Sequence, residues 1–173
     1  MSLTQQLKEP FDYFDIEWRV QQAGKTKTGK LWAIIIPYIT NRAIQERLDE
    51  VCKVEGWKNE FTYPTEKSVI CGISIKLDDG WLTKWDGAEE TDIEAVKGGL
   101  SSAMKRAAVQ WGIGRYLYKL DSVIITPQTD KPQTMEDFIM AYVKIEGRKE
   151  RIYYKRPTLP KWALPTTTTE SLD

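Results

Sequence analysis

Apolar positions along this chain follow two different periods, and the change from one to the other marks out the elements. Phe14 to Gln21 and Leu31 to Tyr38 read as β-type runs joined by AGKTKTGK. A glycine-bearing polar link between such runs predicts a β-hairpin with a long basic tip. Thr40 or Asn41 then caps a helix through about Lys53, with Ile44, Leu48 and Val51 on its buried face. Three further strands are expected, at Trp57 to Tyr63, Ser68 to Leu77 and Trp81 to Trp85. In the second, Val69, Cys71, Ile73 and Ile75 alternate toward one face, and Asp79-Gly80 signals a tight turn into the third.

The period returns to that of a helix in TDIEAVKGGLSSAMKRAAVQWGIGRY, Thr91 to Tyr116. Thr91 and Glu94 have the spacing of a capping box, and Asp92 adds negative charge where the helix dipole favours it. Ile93, Val96, Leu100, Met104, Ala107 and Trp111 form one stripe at helical spacing, directed at a core. Gly112 follows, the residue type that ends helices in the left-handed conformation. Gly98, Ser102, Lys105, Arg106 and Val109 lie on the opposite side, where small residues flank an adjacent Lys-Arg pair. Either a polyanion or a neighbouring subunit approaches that side, or it is the mildly basic outer face of an ordinary amphipathic helix.

These elements predict an α+β fold: a β-hairpin, a helix, a three-strand antiparallel meander and a long basic helix packed on the sheet. Residues 1–10 read as a flexible lead-in, 11–125 as the core domain, 126–160 as a C-terminal extension and 161–173 as a disordered tail. Within the extension, Phe138 to Ile145 and Arg151 to Lys155 suggest a further hairpin, and Trp162 in the tail is placed to anchor a partner. The acidic stretch Asp86 to Glu94 is read as a link between the last meander strand and the basic helix.

Charge sharpens this picture. The 173 residues carry 25 basic and 25 acidic side chains, so any affinity for nucleic acid must come from segregated charge. Residues 18–45 hold five basic side chains and no acid, 95–120 again five and none, and 144–161 seven against two, whereas 78–94 hold seven acids and one base. Arg42 stands in the first turn of its helix, where a cation opposes the dipole; an anion, or Glu46 one turn on, would compensate it. Histidine is absent, which removes the commonest general base, the Ser-His-Asp and Cys-His arrangements and every histidine metal site. There is no GxxxxGK[ST] loop for a nucleotide. Cys52 and Cys71 have no metal-ligand spacing and read as reduced core thiols of a cytoplasmic protein, and no signal-peptide core or membrane-length apolar run is present.

In order, NRAIQERLDEVCKVEGW, the strand pair around CGISIKLDDGWLTKW, the acidic link and KGGLSSAMKRAAVQWG resemble the Rad-fifty-two superfamily of single-strand annealing proteins, especially its phage Sak-type branch. The last segment is similar to the family's helix in which a Lys-Arg pair, here Lys105-Arg106, precedes an aromatic-glycine ending, here Trp111-Gly112. The similarity covers about residues 11–120. It implies a β-β-β-α annealing core that assembles into rings or helical arcs in the cytoplasm (the host's, if phage-encoded). Single-stranded DNA would lie by its phosphates in a positively charged groove, without cofactor or metal and with no membrane involved. By position, Arg42, Lys105 and Arg106 would be the inner phosphate contacts. Two departures stand out. Val109 occupies the place of a further arginine, and Asp78 that of a lysine in a second DNA site, with Lys76 or Lys84 as substitutes.

Annealing requires no catalytic group, only a track that neutralises phosphates and leaves base edges free. The DNA contacts expected are therefore Arg42, Lys105, Arg106, Lys97 and Lys84, with Lys25, Lys27 and Lys30 on the hairpin tip. The tip lysines are read equally well as a solvated loop. Stacking of bases on Trp85 or Tyr116 competes with core packing of both rings. The expected partners are single-stranded DNA, further copies of the chain, and a single-strand-binding protein or exonuclease. Two other readings are a passive single-strand binder and an Mg²⁺-dependent nuclease using Asp86, Glu89, Glu90, Asp92 and Glu94.

Overall fold

The computed structural model describes residues 1–66, 68–89 and 95–166; side chains are described except at 88–89 and 95–98. The elements run α1 (Leu3–Lys8), β1 (Ile16–Lys25), β2 (Leu31–Ile39), α2 (Asn41–Cys52), β3 (Trp57–Thr65), β4 (Ser68–Leu77), β5 (Gly80–Glu89), α3 (Ala95–Trp111), β6 (Val123–Ile125), β7 (Phe138–Ile145) and β8 (Arg148–Lys155). They form an α+β architecture of three small antiparallel sheets, ordered β1-β2-β6, β3-β4-β5 and β7-β8.

Alternation along the strands decides which faces are buried. In β4, Val69, Cys71, Ile73 and Ile75 are fully buried, and α3 packs Met104, Ala107 and Trp111 on this meander. The Trp111 indole donates to the Ile73 carbonyl at 2.9 Å, fixing the helix end over the strand. Gly112, at φ 96°, then stops the helix, and Arg115 donates back to the Val109 and Gln110 carbonyls of its last turn. In the first sheet Ile16, Trp18, Ala33, Ile35 and Ile39 are buried, and an extra residue at Gln21 shifts the register between Val20 and Gln22.

Three expectations change. Residues 1–10 are not a free lead-in: Ser2 and Gln5 form a capping box, Leu7 is buried, and Arg47 of α2 donates to the carbonyls of Gln6, Glu9 and Pro10 at 2.7–3.2 Å. Asp86 to Glu89 is strand rather than link, because β5 pairs with β4 as far as Glu89 opposite Ser68. The 138–155 hairpin is part of the core, since Val143, Ile145, Ile152 and Tyr154 are buried, Tyr154 donates to the Trp18 carbonyl and Arg156 to that of Ile16. β1 is an edge strand of its sheet, and these bonds occupy backbone acceptors there. The capping box at Thr91 and Glu94 lies outside the described residues, as does 167–173. Within the tail, Lys161–Ala163 form a 3₁₀ turn with Ala163 buried and Trp162 exposed.

Candidate nucleic-acid interface

A groove of about 500 Å³ opens between the β1-β2 hairpin and α3. Its floor is apolar, from Ile36, Ile44, Ile113 and Leu117, and Arg19, Lys105 and Arg106 supply cations along it. Strand alternation explains the hairpin side: Ile16 and Trp18 turn into the core, so Glu17 and Arg19 turn the other way, beside Tyr38 and Ile36 of β2. Gly114, at φ 67°, forms part of the lining; a Cβ there would stand 2.7 Å from Ile39 Cδ1.

Lys105 is the distinctive side chain. It is half-buried, with Nζ 4.4 Å from the centre of the Tyr38 ring, over which the Arg19 guanidinium also lies at 5.9 Å. Burial, and then the neighbouring Arg19 charge, hold its amine below the usual 10.5, against a weaker pull from Glu17. Burial and Glu17 together push the Tyr38 hydroxyl up to about 12, so the ring beneath the cations stays neutral. Ion pairs among the described residues leave Lys105 and Arg19 without a carboxylate. A half-buried cation beside a second one is an arrangement that an anion relieves.

Arg106, next in sequence, turns 100° around the helix and meets the other sheet. Its Nε donates to Asp86 Oδ1 at 3.0 Å, and Gln110 donates to Oδ2 at 2.8 Å. Arg106 therefore has an acidic partner, which comes not from its own helix but from β5, 20 residues away in sequence. Burial pushes the Asp86 carboxyl up, but hydrogen bonds from Gln110, the Gly87 amide and Arg106 outweigh it and leave the net shift downward. More than half of the Arg106 side chain remains exposed, at 57%, so it still presents donors to the groove.

The other expected contacts are dispersed. Arg42 is exposed in the first turn of α2, unpaired with Glu46 among the described ion pairs; its neighbour Ile44 lines the groove and Arg42 does not. Lys84 is a structural cation: it donates to the Gln110 carbonyl at 3.1 Å and covers the Trp111 ring at 4.7 Å, closing the negative end of α3. Lys25 is drawn to Glu150 at 3.5 Å and Glu146 at 3.9 Å, leaving Lys27 and Lys30 exposed on the tip. Lys97 sits in the first turn of α3, its side chain outside the described set. The Tyr116 hydroxyl is engaged by the chain itself, accepting from the Phe11 amide at 3.0 Å. Trp85, by contrast, is 44% exposed. Of the acidic positions, Asp86 is held by Arg106 and Gln110, the Glu89 side chain and Glu90, Asp92 and Glu94 lie outside the described set, and the described residues contain no group of three or more His, Cys, Asp or Glu side chains placed to hold a metal ion. No described helix is long and apolar enough to cross a membrane. Arg19 and Tyr38 were missed as site residues; the signal for Arg19 was its alternation with the buried Trp18.

Comparison with known proteins fits this geometry. The family model described as Rad52/22 family double-strand break repair protein matches residues 1–135. The chain belongs to the Rad52/22 family. It is also 31% identical over 166 residues to the single-stranded DNA-binding protein DdrA of Deinococcus radiodurans, covering 92% of this chain and 66% of that one. The DdrA of Deinococcus deserti is 28% identical over 165 residues, with 92% and 68% covered. The chain thus spans about two thirds of the length of these relatives. The matched 135 residues of the Rad52/22 model contain the whole groove and end before β7.

Proposed function

We propose that this protein binds single-stranded DNA and anneals complementary strands without ATP, as an oligomeric ring or helical arc built on the β3-β4-β5-α3 unit. The observation that carries the reading is Lys105: a half-buried amine beside Arg19, with no carboxylate paired to it among the described residues, on the rim of an open groove. Membership of the Rad52/22 family and similarity to single-stranded DNA-binding relatives support the ligand. Lysine and arginine neutralise phosphates without reading sequence, which suits strands of any composition. One subunit offers few such contacts, and repeating the groove around an assembly multiplies them through effective concentration. Arg42, Lys97, Lys27 and Lys30 extend the track where copies adjoin. A single-strand-binding protein or exonuclease would deliver the strands.

Two measurements test this. Affinity for oligo-dT should fall steeply as salt rises, and the protein should speed hybridisation of complementary oligonucleotides with no nucleotide present. Binding without acceleration would reduce the protein to a passive coat, and binding indifferent to salt would reject the phosphate track.

A further inference from the structure

The β7-β8 hairpin separates its charges by face. Cross-strand register pairs Met140 with Tyr153, Tyr142 with Arg151, and Lys144 with Lys149, so these six side chains share one face. The other face carries Val143, Ile145, Ile152 and Tyr154 into the core. On the outward face Tyr142 is 55% exposed, Lys144, Lys149 and Arg151 are exposed, and Lys149 Nζ lies 4.6 Å from the centre of the Tyr142 ring. Lys144 directly opposite Lys149 is a like-charge pair, unfavourable in a sheet, and Arg151 adds a third cation one rung away. The hairpin's two carboxylates give no relief: Glu146, in the turn, and Glu150, on the core-side face, both pair with Lys25 of β1.

We propose that this face is a second contact site for a single-stranded nucleic acid, in which Lys144, Lys149 and Arg151 hold backbone phosphates and Tyr142 stacks on an unpaired base. Cations clustered around an exposed ring match the two chemistries of such a strand, charge along its backbone and a π-face on every base. The site shares no residue with the groove lining and lies beyond the 135 residues matched by the family model. It deepens the reading above, since it takes the same class of ligand, yet it stands on separate residues and can fail alone.

The test uses the full chain in three forms: the groove variant Lys105→Met/Arg106→Ala, the hairpin variant Lys144→Ala/Lys149→Ala/Arg151→Ala, and Tyr142→Ala. The hairpin variant should bind oligo-dT about tenfold more weakly and flatten the slope of log affinity against log salt by about 2, since each phosphate contact on a single strand contributes about 0.7. Tyr142→Ala should weaken binding at every salt concentration with the slope unchanged, as loss of stacking requires. Residual binding by the groove variant should vanish when the hairpin substitutions are added. A hairpin variant that binds with native affinity and slope overturns the site. If the groove variant binds like the native chain while the hairpin variant does not, the groove reading falls and the hairpin site stands. If the native chain ignores oligo-dT at low salt, both fall.

Discussion

At the scale of single residues, the proposed phosphate contact and stability pull in opposite directions at Lys105. Its pKa is lower in the folded chain than the usual 10.5, so between the two values the unfolded state binds more protons. Stability attributable to this residue therefore rises with pH across that window, and below it the folded chain carries the whole desolvation cost. Lys105→Met keeps the stem over Tyr38 and removes the charge, so the variant should melt at or above the native temperature while its affinity for oligo-dT drops about tenfold, one charge-assisted contact. A variant that loses affinity and also melts markedly lower would make Lys105 a packing residue instead. Asp86 works with the opposite sign. Its pKa lies below 3.8 when folded, so its contribution is complete above the unfolded value and is lost as pH falls through the folded one. Acid unfolding of Asp86→Asn should accordingly lack this component of the pH dependence below about 4, followed by circular dichroism. The Lys105-Arg106 pair was legible in the sequence because small residues surround it. Its division was not: which cation takes Asp86 depends on the contact between α3 and β5, across 20 residues.

At the scale of elements, what could be read was what local chemistry enforces. β4 spans Ser68–Leu77 as expected, since Val69, Cys71, Ile73 and Ile75 alternate along it and Asp79-Gly80 ends it; Gly80 adopts φ 119°. α2 begins at Thr40, whose side chain accepts from the Ala43 amide at 3.2 Å. Thr40→Ala should lower stability by about 1 kcal/mol in urea unfolding, the usual effect of losing an N-cap. β7 likewise spans Phe138–Ile145, but the docking of the β7-β8 hairpin involves contacts such as the hydrogen bond from Tyr154 of β8 to Trp18, 136 residues apart, which no local window contains. α1 is a similar case. Six residues make a marginal helix alone, and its order comes from Arg47, which reaches three carbonyls and stacks on Phe11 at 4.2 Å. Arg47→Ala should cost about 2–3 kcal/mol, because it strands those acceptors, and should raise amide exchange selectively in residues 3–10. Exchange in α1 that stays at the native rate would show that Leu7 burial alone holds the helix.

At the scale of the whole molecule, a chain with no net charge offers a polyanion only local attraction, so a usable track requires several copies in register. The outward face of the meander provides a surface on which copies can meet. Trp81 and Trp85 stand on it at 46% and 44% exposure, on either side of the Ser74-Thr83 hydroxyl bond. Trp85 lies flat over Gly72, where a Cβ would come within 2.7 Å of the ring, so the glycine keeps a broad aromatic surface level with the sheet. Two half-exposed indoles on one sheet face are costly to leave in water and are the residue type most enriched at the centre of interfaces. Under the proposed function, phosphate contacts and assembly would then occupy opposite sides of the β3-β4-β5 sheet, with α3 on one and the tryptophans on the other. Trp81→Glu/Trp85→Glu should therefore yield a folded chain that sediments as a monomer, with every groove cation intact. Its salt slope for long oligo-dT should shrink to that of a single groove, and acceleration of hybridisation should disappear. If the doubly substituted chain remains assembled at native size, the contact between copies lies on another face, and the meander tryptophans serve only to shield β4.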